Sequence, residues 1–387
     1  MQNINFESMK NTNRYEILQQ VYRQRDVNRN YITQSTGLTG AAVTKIINSL
    51  IEEGFLTETA YYSELRKRRA RYLSVSKQRY YVIVLCLCRT TILSAIVDIH
   101  GDIIYSRECS MSWEMIDQYA IAERLEDIKS NLPEQGLALG CVCITPGIRK
   151  TEESEEKVHA PFVWDIKTLQ VLVEEKFSLP LYTENDSNAS LLSEMWFGAG
   201  KDTNSFVLYN IGKGIGAAAC LDGHLLKGFH NSSIEIGHVT INFQGPPCAC
   251  GNRGCLELYA GLDNLQGQLE QFNSNRGKKD SVESIFMKAK GGDAECQLFV
   301  QNYADMIAEG ALILANMFTP EKMVVTTNEA EFIYLKPIVD TIKKAIDTRI
   351  FSLSKQKIEV EASILRKQGT ILGAVAVVMK MCFLGLS

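Results

Sequence analysis

The 387-residue chain has no run of eighteen uncharged apolar residues. Its best apolar stretches, Tyr80–Cys88 and Ile371–Leu386, are too short or carry a lysine, which argues against a membrane-spanning helix. The opening MQNINFESMK lacks a basic segment followed by an apolar one, so no export signal is expected and the cytoplasm is the expected compartment. With 27 glycines and 8 prolines the chain has too little of either for a collagen-like or disordered protein. No G-x-x-x-x-G-K-[ST] phosphate loop occurs. The eleven cysteines are odd in number, and in a reducing compartment disulfides are not expected. Pairs such as Cys86/Cys88 and Cys141/Cys143 lie on apolar runs and read as small buried hydrophobes.

What remains is an ordinary globular composition, 45% apolar and 22% charged, long enough for two or three domains. The net charge of −4 hides an asymmetry. Residues 1–79 carry 13 Lys/Arg against 7 Asp/Glu, a net of +6, and the rest carries −10. Such a contrast suggests a nucleic-acid-facing end joined to something else.

The basic end has a readable pattern. Asn11 or Thr12 is suited to cap a helix running to about Gln24, and Arg29–Ser35 fits a second, short helix. After the turn Thr36-Gly37-Leu38-Thr39, Thr39 is a good N-cap for a third helix ending at Gly54. Val43, Ile46, Ile47, Leu50 and Ile51 form one apolar stripe on that helix. Strand-like pieces Phe55–Thr59 and Arg71–Val75 follow, with residues 61–69 between them. This order is that of a winged helix-turn-helix. The third helix would enter the major groove of double-stranded DNA with Thr39, Gly40, Ala41, Thr44 and Lys45, mostly small residues whose methyls suit thymine. Arg66-Lys67-Arg68-Arg69 in the wing would clamp phosphates or enter the minor groove. Charge runs also serve as solvated faces, and small helical domains also bind proteins.

From Tyr80 the pattern changes to buried strands (YYVIVLCLC, ILSAIVDIHGDII, LALGCVCITPG, NSFVLYNIGKGIGAAACLDG) alternating with helical segments such as Tyr119–Lys129 and Ile166–Lys176. That alternation predicts α/β architecture. Three motifs carry chemistry. Glu184-Asn185-Asp186 precedes a helix expected near Asn188; the pair could hold a polyol, with Asp186 a possible base, though Asn-Asp also opens helices. Gly212-Lys213-Gly214-Ile215-Gly216 could surround a phosphate or simply close a hairpin. Glu235-Ile236-Gly237-His238, followed by Cys248-Ala249-Cys250-Gly251-Asn252-Arg253-Gly254-Cys255-Leu256-Glu257, supplies His238, Cys248, Cys250 and Cys255. A Cys₃His set suits tetrahedral Zn2+ with no open position, hence a structural rather than catalytic metal. Reduced cysteines in a glycine-rich loop are the alternative.

Taken together these residues resemble the ROK family (repressors, open reading frames and kinases), in its transcriptional repressor branch. The resemblance runs almost end to end, through LTGAAVTKIINSLIEEGFL, ITPG at 144–147, LPLYTENDSNAS, GKGIG, EIGH and CACGNRGCLE. It implies an actin/hexokinase-like, two-lobed α/β fold behind an N-terminal winged helix. Residues 1–76 would form the DNA-binding domain and 77–387 the sugar-binding domain. Its smaller lobe would span about 77–186 plus a C-terminal helix at about 370–387, and its larger lobe about 187–369. It also implies a sugar held by Asn185, Asp186, Glu235, His238 and Glu257, with His238 on zinc through one ring nitrogen and facing the sugar with the other.

Departures from the family's kinases are equally clear. Where they carry a "DxGGT" loop, this chain reads Leu85-Cys86-Leu87-Cys88-Arg89-Thr90-Thr91; the Thr of "GTG" is Lys213; a distal "GG" is replaced in Val325-Thr326-Thr327-Asn328. Phosphoryl transfer depends on positioning the phosphates, so no catalytic residues are expected. The expectation is a sugar-responsive transcriptional repressor, a homodimer or homotetramer acting on a DNA operator. Two other functions compete. An ATP-dependent sugar kinase would consume ATP with a hexose. A ligand-independent DNA-binding or scaffold protein would show no thermal shift with any sugar.

Overall fold

A computed structural model describes residues 6–24, 27–63, 68–88, 90–112, 115–146, 166–228, 232–327, 335–351 and 357–385. The chain divides into two compact units. The first comprises Met1–Pro146, Asp165–Phe197 and Ile371–Ser387, and the second Gly147–Trp164 and Gly198–Thr370.

The first unit opens with α1 (Phe6–Arg23), α2 (Arg29–Thr36) and α3 (Gly40–Glu52), then the hairpin β1 (Leu56–Ser63) and β2 (Arg68–Val75). It continues with β3 (Tyr80–Leu87), β4 (Thr91–Asp98), β5 (Ile103–Ser110), α4 (Gln118–Ser130), β6 (Leu137–Thr145), α5 (Ile166–Phe177), β7 (Leu181–Asn185) and α6 (Asp186–Phe197). The second unit contains β8 (Phe206–Ile211), β9 (Ile215–Leu221), β10 (His224–Leu225), α7 (Glu257–Ala260), α8 (Leu262–Arg276) and α9 (Val282–Lys290). There follow α10 (Ala294–Phe318), β11 (Lys322–Thr326), α11 (Leu335–Arg349) and β12 (Glu359–Ala362), and α12 (Lys367–Leu384) returns the chain to the first unit.

Each unit is built on a five-stranded sheet, ordered β5-β4-β3-β6-β7 and β10-β9-β8-β11-β12. In both, a meander of three antiparallel strands is extended from its first strand by two parallel ones. The same topology therefore occurs twice, as expected of an actin-like α/β fold. Near-continuous apolar runs make this possible. β3, β4 and β8 are buried along almost their whole length, as strands covered on both faces must be.

The three N-terminal helices form as their caps and stripe dictate. The Asn28 side chain caps α2 by accepting from Tyr31 N at 2.9 Å. Gly37 sits at φ +68°, and the Thr39 hydroxyl accepts from Ala42 N at 3.3 Å to start α3. Val43, Ile47 and Leu50 of α3 are fully buried, with Ile17, Leu18, Ile32 and Leu56; Ile46 and Ile51 are half-buried. Burying each such side chain contributes about 1.5–3 kcal/mol. Gly54 lies just past the end of α3 at φ +83°.

Three boundaries differ from expectation. α1 begins at Phe6 rather than at Asn11 or Thr12, because no Gly or Pro interrupts 6–23 and the earlier residues continue the turn. The hairpin strands run further than expected. β1 and β2 pair from Leu56↔Val75 to Ser63↔Arg68, since the ladder continues as long as both chains supply partners. Arg68 and Arg69 thus stand on a strand, while Arg66 and Lys67 lie outside the described residues. α6 begins at Asp186, not near Asn188, because Asn185 already supplies its cap.

Within the first unit the N-terminal helices and hairpin pack directly on the five-stranded sheet and its helices. Tyr22 of α1 stacks on Trp196 of α6, ring centroids 4.3 Å apart, and donates its hydroxyl to the Ile99 carbonyl. Phe55 stacks on Tyr80 at 4.7 Å and meets Phe383 of α12 edge-on at 5.1 Å. The Tyr80 hydroxyl donates to the Glu53 carbonyl at 2.6 Å. Among the described residues α12 alone has the length and apolarity to cross a membrane, and 67% of its window is buried within the protein.

Candidate functional site

The second unit brings the four predicted metal ligands together. The ligand atoms of His238, Cys248, Cys250 and Cys255 all lie within 4.8 Å of one another. Cys248 Sγ is 3.7 Å from His238 Nδ1, and Cys250 Sγ is 3.7 Å from Cys255 Sγ. Two sulfurs on a tetrahedral zinc, each at ~2.3 Å, stand about 3.8 Å apart, close to the Cys250–Cys255 separation, so the donor set suits such an ion. Nδ1 is the nitrogen directed at the cysteines.

The loop that holds this set is tightly tied. Cys248 N donates to Asn252 O at 2.8 Å and Gly254 N to Pro246 O at 2.8 Å. Thr240 bridges Cys255, and Pro247 bridges Arg253. Sequence reasoning passed over Asn252. Its amide donates to the His238 carbonyl at 3.2 Å and the Thr240 hydroxyl at 3.0 Å, locking the backbone of the histidine ligand. The only signal for it was its place inside the cysteine motif.

Thiol electrostatics respond to this crowding. Burial and the two neighbouring thiols push Cys255 up to about 12. Burial also raises Cys250, but hydrogen bonds from the Asn252 backbone and from Cys248 and Cys255 outweigh it and bring Cys250 below the ordinary thiol value. Three sulfurs this close cannot all ionise without a compensating cation.

A second acid–histidine group, Asp98, His100 and Asp102, also lies close together. The Asp98 carboxylate already accepts the backbone N–H groups of Gln78, His100, Gly101 and Asp102, at 2.8–3.2 Å. It shapes the β4–β5 turn rather than a metal site.

The motif residues around the cysteine knuckle meet in the same unit. GKGIG closes the β8–β9 hairpin, with Gly212 N donating to Gly214 O at 3.0 Å. The Glu257 carboxylate accepts Ile215 N at 3.0 Å, joining the start of α7 to that hairpin. A Cβ at Gly237 would stand 2.4 Å from Ile215 O and 3.2 Å from Glu257 Oε2, so only glycine lets the EIGH segment approach. Glu235 is exposed and accepts from the Ser233 hydroxyl at 3.0 Å.

Asn185 and Asp186 stand in the first unit, where β7 passes into α6. Asn185 Oδ1 accepts from Ser187 N at 2.8 Å and Asn188 N at 3.3 Å, so this residue is a helix cap. Asp186 Oδ1 accepts from Ser187 N at 2.7 Å. The helix-opening role weighed from sequence is thus present.

Thr39, Gly40, Ala41, Thr44 and Lys45 are all exposed along one face of α3. Asn48, one turn beyond Thr44, extends that exposed face and was missed; its i, i+4 spacing from Thr44 was the available signal. Arg29 at the start of α2 donates to Glu58 of β1 at 2.8 Å, pinning the hairpin to the helices.

Comparison with known proteins follows the same lines. The "Xylose repressor" of Caldicellulosiruptor bescii is 28% identical over 387 residues, covering 96% of each chain. A solved ROK family transcriptional regulator, a homolog of the E. coli MLC protein, superposes with a TM-score of 0.77 at 24% identity, over 98% of both chains. A ROK family glucokinase from Streptomyces griseus, solved with glucose and AMPPNP, matches 77% of this chain with 98% of its own, at a TM-score of 0.61 and 21% identity. The sequence profile of the ROK family itself spans residues 82–381, nearly everything after the N-terminal helices and hairpin, and the chain belongs to that family.

Proposed function

We propose that this protein is a sugar-responsive, DNA-binding transcriptional repressor of carbohydrate-use genes, and not an enzyme. The observation that carries this reading is α3. It is a capped helix with one exposed face of small and basic residues, set in a winged helix that precedes the ROK span. Thr39, Gly40, Ala41, Thr44 and Lys45 meet base edges and phosphates, and Arg66, Lys67, Arg68 and Arg69 of the wing supply charge to the backbone. In this reading residues 1–76 form the DNA-binding domain and 77–387 the sugar-binding domain, whose lobes divide as the resemblance implies. Two copies present two winged helices to operator half-sites, as a homodimer or within a homotetramer.

Asn185, Asp186, Glu235, His238 and Glu257 bind the sugar hydroxyls. The cap uses Oδ1 of Asn185, and Nδ2 is the donor this residue would offer a sugar hydroxyl. Structural Zn2+ is held by His238 Nδ1 and the sulfurs of Cys248, Cys250 and Cys255, fixing the imidazole so that Nε2 is presented to the ligand. Zinc here supplies rigidity. The kinase alternative lacks its parts: Cys88 N is spent on Thr91 O at 2.9 Å in a glycine-free turn, and Lys213 replaces the loop threonine. The relative named as a xylose repressor and the neighbour solved with glucose suggest D-xylose and D-glucose as first probes.

The test is a salt titration of DNA binding, using a duplex selected from a random pool, with and without each sugar. Affinity should fall steeply with salt. A sugar that also shifts thermal stability should change that affinity, and Glu235→Ala should remove the response. Salt-independent binding would sink the DNA reading, and a response that survives Glu235→Ala would sink this pocket.

A further inference from the structure

α6 and α12 of the first unit link the Asn185–Asp186 motif to the N-terminal helices. α6 starts at Asp186, in the motif read as sugar-binding, and ends at Phe197. Twelve helical residues span about 18 Å. At the far end Trp196, fully buried, lies face-on against Tyr22 of α1, their planes 28° apart, and Tyr22 also meets Phe197 edge-on at 5.5 Å. α1 in turn packs on α2 and α3.

α12 runs beside it. A Cβ on Gly373 would fall 2.0 Å from the Ala189 carbonyl, so the two helices cross in backbone contact and cannot slide independently. At its C-terminal end, Phe383 packs edge-on against Phe55, next to the end of α3, and lies under the Arg14 guanidinium at 5.2 Å. Arg14 itself bonds Ser49 at 3.0 Å and Glu53 at 2.9 Å, on the last turn of α3 and its cap.

One further detail marks the stack. The buried Trp196 indole N–H has no hydrogen-bond partner among the described residues. Such orphans are uncommon in packed cores. A phenyl side chain would fill space there without that cost, so what the stack uses is the ring face and not the indole N–H.

We infer that α6 and α12 form a rigid strut that carries ligand occupancy at Asn185–Asp186 to the recognition helix, with the Tyr22–Trp196 stack and the Phe383–Phe55–Arg14 cluster among its contacts with the winged helix. The inference rests on the sugar-responsive reading above. A small rotation of α6 on sugar binding moves Trp196 and the Tyr22 ring stacked on it, turning α1 about the point where the Tyr22 hydroxyl is held to Ile99. The winged helix therefore changes its placement as a unit. Tyr22, Trp196 and Phe383 act as positioning residues that touch neither sugar nor DNA.

Hydrogen-exchange mass spectrometry on the full-length protein tests this, with and without saturating D-xylose or D-glucose, whichever gives the larger thermal shift. In the wild type, sugar should protect 185–197 and change exchange in the winged helix by about fivefold or more. Tyr22→Leu and Phe383→Leu should each cut the winged-helix response to less than half while keeping protection at 185–197. Trp196→Phe, which keeps a ring against Tyr22, should retain it. Sugar protection at 185–197 with no winged-helix response, or with an equal response in both variants, overturns the strut and leaves the sugar reading standing. No protection at 185–197 with either sugar overturns both. Should Tyr22→Leu misfold, Phe383→Leu with Trp196→Phe decides the matter.

Discussion

Gly254 approaches Asn242 so closely that a Cβ on it would lie 1.7 Å from the Asn242 carbonyl oxygen, and it does so at φ +62°. Both facts follow from the knuckle turning back on itself: Gly254 O accepts from Ile241 N at 2.9 Å, one residue before the ligand Cys255. In Gly254→Ala the left-handed backbone alone costs about 1–2 kcal/mol. The clash is with backbone, which cannot swing away, so the two strands of the loop must part. The variant should bind well under one metal per chain. Gly267→Ala is the control, since nothing lies within 4 Å of a Cβ at that helical position. It should keep the metal and gain about 0.5–1 kcal/mol. Elemental analysis and thermal melts of both variants check the pair.

Removing a ligand should act like removing the ion. Cys250→Ser leaves three donors around a cluster whose sulfurs stand at zinc spacing, and the metal should be lost on dialysis against a chelator. Cys382→Ser changes an exposed thiol outside the cluster and should retain the full complement. Thiol titration should count three more reactive cysteines in metal-free wild type than in the metal-loaded protein. An unchanged count would mean that the knuckle holds no metal.

How far the sequence carried this picture depends on how local each feature is. α3 was legible because its cap, its stripe and its terminal glycine all fall within sixteen residues, and each reports on its own neighbours. The strands from Tyr80 onward were legible for the same reason. The clustering of His238 with Cys248, Cys250 and Cys255 was legible because Cys and His at that spacing have few other uses. α6 was not. Every residue from Ser187 to Trp196 is buried, so it presents no amphipathic stripe, and its start is set by a side-chain cap at Asn185. The Tyr22–Trp196 stack joins positions far apart in the chain, and no periodicity in either segment points to the other. The bonds from Arg14 to Ser49 and Glu53 likewise emerge only once α1 and α3 are packed.

That Arg14 pairing gives the winged helix an acid sensitivity of known sign. Hydrogen bonding from the Arg14 guanidinium holds the Glu53 carboxyl below the usual carboxylate range; burial opposes this, and the Ser49 hydroxyl and the Arg14 and Lys10 charges add to it. A carboxylate with a depressed folded-state pKa contributes stability that is complete above the unfolded value, near 4.5 here, and is lost as pH falls through the folded value. Thermal melts between pH 7 and pH 3 should therefore show the winged helix weakening below about pH 4.5. Glu53→Gln should be less stable at neutral pH and show a shallower acid limb. An acid limb identical in slope to that of the wild type would remove this pair from the account.

In the DNA-binding reading the exposed face of α3 offers two kinds of contact, and they should respond differently to substitution. Lys45 is a point charge on a flexible stem, suited to a phosphate. Lys45→Ala should weaken binding to every duplex by a similar factor and reduce the salt slope by about 1. Asn48 carries an amide that matches the N6 and N7 edge of adenine in the major groove. Asn48→Ala should leave the salt slope unchanged but cost about 1–3 kcal/mol on the selected duplex alone, relaxing preference at one base position. Gly40 tests approach rather than contact. No atom of the protein lies within 4 Å of where a Cβ on Gly40 would stand, so Gly40→Leu should fold normally, yet it would hold the helix off the groove floor and lower affinity for the selected duplex. Fluorescence anisotropy on selected and scrambled duplexes across a salt series measures all three. A salt slope altered by Asn48→Ala and not by Lys45→Ala would reverse the assignment of the two residues. Unchanged binding in all three variants would remove α3 from the groove.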